Sequence, residues 1–376
     1  MIVLNILQFI VIMTIVYFLI TNFLHIEKVS AYTGKLEEYP MVSICIPARD
    51  EEKSIEACLI SMLEQDYPDF EVIVVDDNST DATPDILQKL AKNHNNLTVI
   101  KGAPLPLDWH GKPFALHQAQ KNAKGEYILF ADADPVFHPN TLKTAIHIIQ
   151  DRNLEFFSLL PGSIFSSFWE KAVQPVFFGF IGSMTPFRKV NSPAFPEAMG
   201  VGAFTIIEKK LYDRMGGHEP LKQQILDDIG LARVAKSFGA RLLIADGQKL
   251  ISIRMYHSLA EIRAGWRKNM FIAMRKSIPR AFIYIFIVLA LTITPYLLFI
   301  ESWVYQTGFV SQILSTFNLF TILIVNLVFC KELRLSTFYL FTFPLGALVF
   351  SGVMISSMLQ ILIKGTTEWR GRNYAS

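Results

Sequence analysis

The chain opens with an apolar stretch, residues 2–24, that contains no charged residue. At about 1.5 Å per residue, a helix of this length crosses a hydrocarbon core of roughly 30 Å. The stretch has neither a basic start nor a small-residue cleavage site, so it differs from a signal peptide that is removed. The sequence therefore predicts a permanent transmembrane helix over residues 1–24, followed by a polar linker.

Further apolar runs lie near the other end of the chain, at residues 281–300, 309–330 and 335–363. Hydrophobic residues make up 51% of the sequence, and the mean hydropathy is +0.34. This composition is too apolar for an ordinary soluble protein and too charged for one that lies wholly in the membrane. We therefore expect a water-soluble domain at residues 40–256 and transmembrane segments within residues 281–363.

Basic residues flank the C-terminal apolar runs in three groups, which are Arg275, Lys276 and Arg280; Lys331 and Arg334; and Lys364, Arg370 and Arg372. Such residues favour the cytoplasmic side, which predicts a multi-pass protein of the cell membrane with its soluble domain in the cytoplasm. Residues 335–363 are too short for the two full spans that this requires, since each needs about 20 residues. Either a re-entrant hairpin breaks near Pro344 and Gly346, or one tilted span leaves the polar tail 364–376 outside.

The charge and cysteine content argue against other classes of protein. The 35 basic and 33 acidic residues give a net charge of +2, which is not the strong positive field of a nucleic-acid-binding protein. Cys45, Cys58 and Cys330 form neither a CxxC pair nor a metal-ligand cluster. We expect no nucleic-acid partner, no disulfide framework and a reducing compartment.

Residues 41–134 alternate short β-rich runs with helical patterns. Strands are predicted at 41–47, 70–77, 97–102 and 126–134, with helices at about 54–65 and 84–93. This alternation is typical of an α/β fold with a mostly parallel sheet and crossover helices. Since acidic motifs follow these strands, they should meet at the carboxyl edge of the sheet, where ligands bind in open α/β folds.

Asp132 and Asp134 end the last of these strands, on either side of Ala133. Hard divalent cations such as Mg²⁺ and Mn²⁺ prefer carboxylate oxygens, and a cation bound here would also hold a diphosphate. An acidic turn before Pro135 is the structural alternative. We favour a metal site at Asp132 and Asp134 because the motif follows an apolar strand.

Two other polar motifs also follow strands. Asp76 and Asp77 end the second strand, where a carboxylate can accept hydrogen bonds from a base or a ribose. Pro47, Arg49 and Glu51 are predicted just after the first strand, where a basic and an acidic side chain could bracket a nucleotide. Capping of the strand end is the structural alternative for Asp76 and Asp77, and a solvated charge cluster at a helix start is the alternative for the other motif, above all for Asp50 and Glu52.

Lys112 and the pair Asp227-Asp228 lie further along the chain. Lys112 follows Gly111, whose flexible backbone would let the ammonium approach a phosphate. Asp227 and Asp228 begin a helical pattern, and one carboxylate there could deprotonate an acceptor hydroxyl as a general base. The two carboxylates could equally stabilise the start of the helix. Their assignment to a catalytic role therefore depends on their combination with the motifs described above.

Residues 257–280 combine basic residues with apolar ones at helical spacing. That pattern predicts an amphipathic helix at the membrane interface. For Trp266 and Arg267 we favour interfacial anchoring over direct contact with a substrate, and we keep both as candidate binding residues. His218 and His257 are left unassigned, because a single histidine more often satisfies local hydrogen bonds than binds a metal.

The motifs PARDEE, VVDDNST, GEYILFADAD, the glycine pair 216–217 and DDIGLARVAKSFGA resemble family 2 glycosyltransferases in order and spacing, from about Met41 to Gly247. The resemblance implies a GT-A fold, a UDP-sugar donor and a divalent metal on Asp132 and Asp134. It also implies a catalytic base drawn from Asp227 and Asp228, with the second acid preferred. The positions of that family that contact the nucleotide are matched by Arg49, Glu51, Asp76, Asp77 and Lys112.

The membrane segments and the terminal TEWRGRNY extend the resemblance to nearly the whole chain. They are similar to those of bacterial carotenoid glycosyltransferases of the diaponeurosporenoate and hydroxychlorobactene type, and to those of ceramide glucosyltransferases. Polymerising relatives carry a Q-x-x-R-W signature, whereas the corresponding region here reads RAGWRK, which disfavours processive polysaccharide synthesis. Some carotenoid-type relatives do not keep the second acid, so the choice between Asp227 and Asp228 stays open.

The expected reaction is a single inverting displacement. Asp228 takes the proton of the acceptor, whose oxygen attacks the anomeric carbon, while the metal and Lys112 stabilise the departing diphosphate. A chain tied to the bilayer at both ends predicts a membrane lipid acceptor, with a carotenoid or related polyisoprenoid ahead of ceramide and diacylglycerol, and glucose as the sugar. The rivals are a non-catalytic membrane scaffold and a lipid transporter, and the near absence of charge in the spans disfavours the transporter.

Overall fold

The computed structural model describes residues 1–369 and 372–375. The chain forms two compact units. The helical unit comprises Met1–Leu24, Phe165–Thr185 and Tyr256–Ser376, and the α/β unit comprises His25–Ile164 and Pro186–Met255. Residues 165–185, which the sequence analysis placed inside the soluble domain, therefore belong to the helical unit. The predicted basic residue Arg370 lies outside the described residues.

The helices and strands are numbered in chain order. The helices are α1 (Ile2–Phe23), α2 (Ile55–Leu63), α3 (Thr83–Asn93), α4 (Gly111–Gln120), α5 (Thr141–Arg152), α6 (Phe168–Met184), α7 (Phe187–Val190), α8 (Lys209–Arg214), α9 (Asp227–Ser237), α10 (Leu259–Ala273), α11 (Ile278–Thr292), α12 (Thr294–Val304), α13 (Phe309–Glu332) and α14 (Phe343–Lys364). The strands are β1 (Val42–Ala48), β2 (Phe70–Asp76), β3 (Leu97–Lys101), β4 (Tyr127–Phe130), β5 (Val136–Phe137), β6 (Phe156–Leu160), β7 (Gly162–Ser163), β8 (Thr205–Glu208), β9 (Leu242–Asp246), β10 (Ile251–Ile253), β11 (Thr366–Trp369) and β12 (Arg372–Ala375).

A seven-stranded sheet in the order β3-β2-β1-β4-β8-β6-β9 forms the centre of the α/β unit. Neighbouring strands run parallel, except that β8 is antiparallel to both β4 and β6. A small second sheet in the order β5-β10-β7 belongs to the same unit. The predicted α/β class and the mostly parallel sheet are confirmed, whereas the antiparallel β8 was not foreseen.

The central strand β1 is almost wholly buried, because both faces of the sheet are covered. Ile44 and Ile46 pack into the hydrophobic core on one face, together with Leu59 of α2. Cys45 lies between them in sequence and packs into the core on the opposite face, with Ile128 of β4. Successive side chains of a strand point to opposite faces, which explains why the run is apolar on both faces, with Ser43 as its one polar side chain.

Two boundaries differ from the sequence prediction at positions that matter for the site. Strand β4 ends at Phe130, so Asp132 and Asp134 lie in the loop between β4 and β5 rather than within the strand. Strand β1 extends to Ala48, so Pro47 lies inside the strand and not after it. Pro47 lies beyond the part of β1 that pairs with β4, which ends at Cys45, so at this position the strand has a paired neighbour on one side only.

In the helical unit, α1, α13 and α14 are each long and apolar enough to cross a membrane. Helices α11 and α12 pass the same test only as a pair, and they meet at an angle of 46° around Ile293. Helix α14 is continuous from Phe343 to Lys364, with Pro344 in its first turn, where a proline needs no partner for its nitrogen. The predicted re-entrant break near Pro344 and Gly346 is therefore wrong, and the bend lies between α11 and α12.

Polar side chains join the helices of this unit. Asn22 Nδ2 of α1 donates to the carbonyl oxygens of Gly182 and Thr185, at 2.7 Å each, at the end of α6. Near the start of α1, Asn5 Nδ2 donates to Ser311 Oγ of α13 at 2.8 Å. Between apolar helices such hydrogen bonds fix the choice of partner, because lipid offers no competing group.

Helix α6 was missed by the sequence analysis, and it packs against α14 at very close range. A Cβ atom on Gly346 of α14 would lie 2.7 Å from Val176 Cγ2 and 2.8 Å from the carbonyl oxygen of Ala172, both in α6. Contacts this short require a shift of one helix backbone. Gly346 therefore sets the distance between α6 and α14.

We expect the substitution Gly346→Ala to destabilise the helical unit by about 1–3 kcal/mol, because overpacking forces the helices apart. Thermal unfolding of the detergent-solubilised protein measures this as a lower Tm. The matched control is Gly352→Ala in the same helix, where a Cβ atom would meet nothing within 4 Å. That control should leave Tm unchanged or slightly raised, since alanine favours helix. An equal loss in both variants would contradict the close-packing argument.

Candidate active site

The loops after β1 and β2 are held together by backbone contacts of two candidate residues. Arg49 Nη1 donates to the carbonyl oxygen of Asp77 at 2.6 Å, and the Asp77 N–H donates to that of Ala48 at 2.8 Å. The carboxylate of Asp76 accepts the N–H of Ser79 at 3.0 Å. Asp76 and Asp77 are buried. In this structure they therefore cap the end of β2 as well as line the edge of the sheet.

Glu51 lies on the same edge of the sheet and caps the start of α2. Its N–H donates to Thr83 Oγ1 at 2.8 Å, and its Oε2 atom accepts the hydroxyl of Ser54 at 3.0 Å. Its carbonyl oxygen accepts the N–H of Ile55 at 2.9 Å. Glu51 therefore supports the start of α2 through its hydrogen bonds.

The acidic side chains of these loops converge on Cys58 of α2. Burial raises the pKa of the Cys58 thiol well above its usual value, and the negative charges of Asp134, Asp132 and Glu51 raise it further, in that order. Three carboxylates from the loops after β1 and β4 thus act on one point of the core. The topology brings together residues that are about 80 positions apart in the sequence, as expected for the carboxyl edge of a parallel sheet.

Lys112, in the first turn of α4, carries the positive charge at the centre of the site. Its Nζ atom lies 2.6 Å from Asp132 Oδ1 and 3.6 Å from Asp227 Oδ2. Burial alone would lower the pKa of Lys112, but the charges of Asp132, Asp227 and Asp228 outweigh it and raise the pKa above its usual value. The ammonium therefore stays protonated, and it links the loop after β4 to the start of α9.

The backbone of Gly202, just before β8, joins the two acidic motifs. Its carbonyl oxygen accepts the N–H of Asp132 at 2.9 Å, and its N–H donates to Asp228 Oδ2 at 3.1 Å. A Cβ atom at this position would lie 2.5 Å from Asp132 Oδ2 and 2.9 Å from Lys112 Nζ. Only glycine allows the main chain to approach both side chains this closely.

Asp228 is half-buried at the start of α9. Its Oδ1 atom accepts the N–H of Ile229 at 2.8 Å. Burial and, next, the negative charge of Asp227 raise the pKa of Asp228, Lys112 lowers it, and the net result is a pKa of about 6. A carboxylate with such a pKa is a better proton acceptor near neutral pH than an ordinary aspartate. Asp227 is the more buried of the pair, and its carboxylate lies against Lys112.

A small cavity of about 10 Å³, with room for roughly one water molecule, lies between these charges. Its lining includes Lys112, Phe130, Gly202, His218, Asp227 and Asp228. The cavity thus brings together the lysine and the aspartate pair that the sequence analysis proposed separately. It also contains Gly202 and His218, which that analysis did not assign.

The donor set near Asp132 and Asp134 suits a divalent cation that also binds its substrate. Within the described ranges, no group of three or more His, Cys, Asp or Glu side chains is arranged to hold a metal ion. Mg²⁺ commonly takes one or two carboxylates from the protein and completes its shell with phosphate oxygens and water. Asp132 and Asp134 fit that mode, and the contact of Asp132 with the Lys112 ammonium marks it as a place where positive charge is stabilised.

Trp266 and Arg267 lie in α10 of the helical unit, not among the residues above. The Trp266 ring is buried and stacks on Phe177 of α6 with ring centres 4.7 Å apart. The carbonyl oxygen of Arg267 accepts the hydroxyl of Ser357 of α14 at 2.6 Å. The apolar side of the predicted amphipathic helix is therefore covered by α6 and α14. Its place at the membrane interface stays a prediction.

Gly202 and His218 are the site residues that sequence reasoning missed. The signal for the first is MGVG, where Gly200 and Gly202 precede an apolar run; a Cβ atom on Gly200 would lie 2.5 Å from the carbonyl oxygen of Asp228. The signal for the second is the glycine pair directly before His218. Glycines that cluster before a strand or a turn indicate close approach of the main chain.

Comparison with known proteins agrees with the resemblance drawn from the sequence motifs. Residues 43–216 match the sequence model of glycosyl transferase family 2. The chain is 26% identical over 342 residues to a 4,4'-diaponeurosporenoate glycosyltransferase of Staphylococcus aureus strain USA300, covering 89% of this chain and 88% of that protein. The same figures hold for the protein of strain NCTC 8325.

The fold also has a solved counterpart. The mannosyltransferase PcManGT from Pyrobaculum calidifontis, solved in complex with GDP-Man and Mn²⁺, is similar with a TM-score of 0.56 and 18% sequence identity. The match covers 96% of this chain and 99% of that one. It bears out the predicted GT-A fold with its flanking apolar helices. The family match, the curated relatives and the shared fold agree: residues 43–216 are similar to glycosyl transferase family 2, and nearly the whole chain is similar to glycosyltransferases.

Proposed function

We propose that the enzyme transfers glucose from UDP-glucose to a carotenoid or related polyisoprenoid lipid with inversion at the anomeric carbon. The observation that carries this proposal is the position of Asp228 and Lys112 around one cavity, with Asp132 in contact with the Lys112 ammonium. A proton acceptor and a cationic group for the leaving diphosphate are thereby within the same small volume. These are the two groups that a single displacement at a sugar carbon needs.

Asp228 is the proposed general base. Its carboxylate is held by the N–H groups of Gly202 and Ile229, so its orientation is fixed before a substrate arrives. Asp227 is turned to Lys112, and we assign it the role of holding that lysine. The raised pKa of Asp228 favours its role as the base, because a carboxylate with a raised pKa is a stronger base than an ordinary aspartate.

Lys112 is the proposed partner of the diphosphate. Its ammonium contacts Asp132 in this structure, and an ammonium on a flexible stem can turn from a carboxylate to a phosphate within a few ångströms. Asp132 and Asp134 would hold a divalent cation, Mg²⁺ or Mn²⁺, whose charge would stabilise the departing diphosphate. The nearby Arg49, Glu51, Asp76 and Asp77 are proposed to contact the nucleotide.

The lipid nature of the acceptor is supported by the relatives and by the helical unit. The curated relatives are named for transfer to 4,4'-diaponeurosporenoate, and the match extends over most of both chains. Helices α1, α13 and α14 are apolar enough for a bilayer, which would keep the enzyme at the surface where such lipids are found. Trp266 and Arg267 stay candidates for contact with the acceptor.

We propose a cell-membrane location with the α/β unit in the cytoplasm. If α11 and α12 form one bent span, α13 returns to the side of Arg275 and Lys276, which puts Lys331 and Arg334 on that side as well. The following span, α14, then leaves Lys364 on the opposite side. This is the second of the two arrangements considered from the sequence, with the tail outside.

Transfer of radiolabel from UDP-[¹⁴C]glucose into the organic-extractable lipid of membranes tests the function. The wild type should label lipid when Mg²⁺ or Mn²⁺ is present, and the variant Asp132→Asn/Asp134→Asn should fall to background because its carboxylates no longer hold the cation. The matched control Asp213→Asn, at a side chain that is 56% exposed, should keep full activity. Absence of lipid labelling by the wild type with any common UDP-sugar would overturn the proposal.

Asp228→Asn separates hydroxyl acceptors from carboxylate acceptors. A hydroxyl must lose its proton to the base, so we expect kcat to fall by at least about a hundredfold with such an acceptor. A carboxylate acceptor is already ionised, and its rate should change little. With the wild type and a hydroxyl acceptor, the rate should fall by about tenfold per pH unit below the pKa of about 6. Full activity of Asp228→Asn on a hydroxyl acceptor would exclude Asp228 as the base.

The pKa of Asp228 can be tested without any substrate. A folded-state pKa of about 6, raised from the usual 3.8, means that the stabilising contribution of this carboxyl is complete below pH 3.8 and is lost as the pH rises through about 6. We therefore expect Asp228→Asn to unfold at a higher temperature than the wild type at neutral pH, with a difference that disappears toward pH 3.8. Asp213→Asn should show no such pH-dependent difference.

A further inference from the structure

A hydrogen-bonded pair of buried side chains, which the proposed reaction does not use, lies next to the cavity. Tyr212 of α8 is completely buried, and His218 is 1% exposed. The Tyr212 hydroxyl oxygen lies 2.5 Å from His218 Nδ1. The edge of the imidazole meets the ring of Phe130 of β4 with ring centres 4.8 Å apart.

The glycine pair before His218 makes this contact possible. Gly216 and Gly217 have φ angles of +81° and +63°, which residues with a side chain rarely adopt. The Gly217 N–H donates to the carbonyl oxygen of Tyr212 at 3.0 Å, so the chain turns back on α8 immediately after the helix. A Cβ atom on Gly217 would lie 3.2 Å from the Tyr212 hydroxyl oxygen. The turn therefore places the side chain of His218 against the hydroxyl of Tyr212.

The hydrogen bond fixes which imidazole nitrogen carries the proton. Among the residues that the structure describes, His218 Nδ1 is the only hydrogen-bond partner of the Tyr212 hydroxyl. Burial raises the pKa of Tyr212 well above its usual value, so the hydroxyl keeps its proton and must donate it to Nδ1. Nδ1 is then the acceptor, and the neutral imidazole carries its hydrogen on Nε2.

The imidazole also stays neutral. Burial, together with the positive charges of His117 and Lys112, lowers the pKa of His218 to about 3. A group of this kind cannot act as a general acid near neutral pH, but it is a stable hydrogen-bond donor. Since Nδ1 is occupied by Tyr212, the polar atom that His218 can present to the cavity is the Nε2–H group.

The cavity combines hydrogen-bond donors and acceptors in the numbers that suit one hydroxyl group. Lys112 and His218 supply donors, and Asp227 and Asp228 supply carboxylate acceptors. A hydroxyl group donates one hydrogen bond and accepts up to two. Its oxygen can therefore satisfy both donors while its hydrogen bonds to a carboxylate. In this structure the volume of about 10 Å³ has room for about one oxygen atom.

We propose that the Nε2–H group of His218 donates a hydrogen bond to one hydroxyl oxygen of the transferred sugar, and that this contact selects the sugar. The inference rests on the proposed function, since it takes the cavity to receive part of the donor hexose. His218 thus contributes to specificity, and Tyr212 positions it by holding the tautomer. A neutral donor suits this role because it binds a hydroxyl group without attracting an anion in its place.

The test compares UDP-glucose with each analogue that lacks a single sugar hydroxyl, using kcat/KM for the wild type and for His218→Leu. In the wild type, one analogue should lose about tenfold or more relative to UDP-glucose, the effect of one buried hydrogen bond. His218→Leu should be slower with UDP-glucose by a similar factor, and it should no longer distinguish that analogue from the parent. The other analogues should be affected alike in both enzymes.

Two conservative variants separate hydrogen bonding from structural support. His218→Gln keeps an N–H donor near the position of Nε2 and should restore discrimination in part, whereas His218→Leu should not. Tyr212→Phe should weaken the same discrimination, because the imidazole then exchanges its tautomers. The matched control is His138→Gln at an exposed histidine of the same unit, which should leave every ratio unchanged.

The outcomes distinguish this inference from the proposed function. If the wild type transfers no glucose at all, the proposed function fails and the inference fails with it. If the wild type transfers glucose, but a folded His218→Leu variant discriminates among the analogues as the wild type does, then only the inference is overturned. A purely structural role would lower Tm and slow all donors by the same factor, and this result would overturn it as well.

Discussion

The site depends on one half-buried positive charge, the ammonium of Lys112, held between Asp132 and Asp227. Carboxylates from different parts of the chain repel one another unless a cation lies between them, and the loss of one member of such a cluster leaves an uncompensated charge. Lys112 therefore holds the loop after β4 close to the start of α9. It also keeps the pKa of Asp228 lower than burial and Asp227 alone would make it.

Backbone hydrogen bonds of Gly202 add to the ion pairs that hold the site together. Gly202 bonds to Asp132 through its carbonyl oxygen and to Asp228 through its N–H, which links the β4 loop to α9 by a short rigid path. A backbone contact has no rotamers to lose, so it fixes geometry at low entropic cost. The antiparallel β8 follows Gly202 directly, and its pairing with β4 and β6 anchors this path in the sheet.

Much of the fold and part of the site follow from the sequence. Strands β1 to β4 are apolar runs followed by polar motifs, and parallel pairing places such ends at one edge, so the position of Asp76 and Asp132 at that edge follows from the pattern. The roles of these residues and of Lys112 stay predictions. Helix α6 could not, because Glu170, Lys171 and Pro175 interrupt its apolar pattern, and its burial depends on α14 far along the chain. His218 was missed because its role depends on Tyr212 and on a turn, and neither has a periodic signal.

The discontinuity of the helical unit has a consequence for synthesis. Helix α6 leaves the ribosome in the middle of the α/β unit, long before α14, against which Gly346 holds it so closely, has been made. The α/β sheet is complete once β9 has been translated, whereas the apolar surface of α6 has to wait for the last part of the chain. The nascent chain therefore exposes that surface for the whole interval, during which lipid or a chaperone is its available cover.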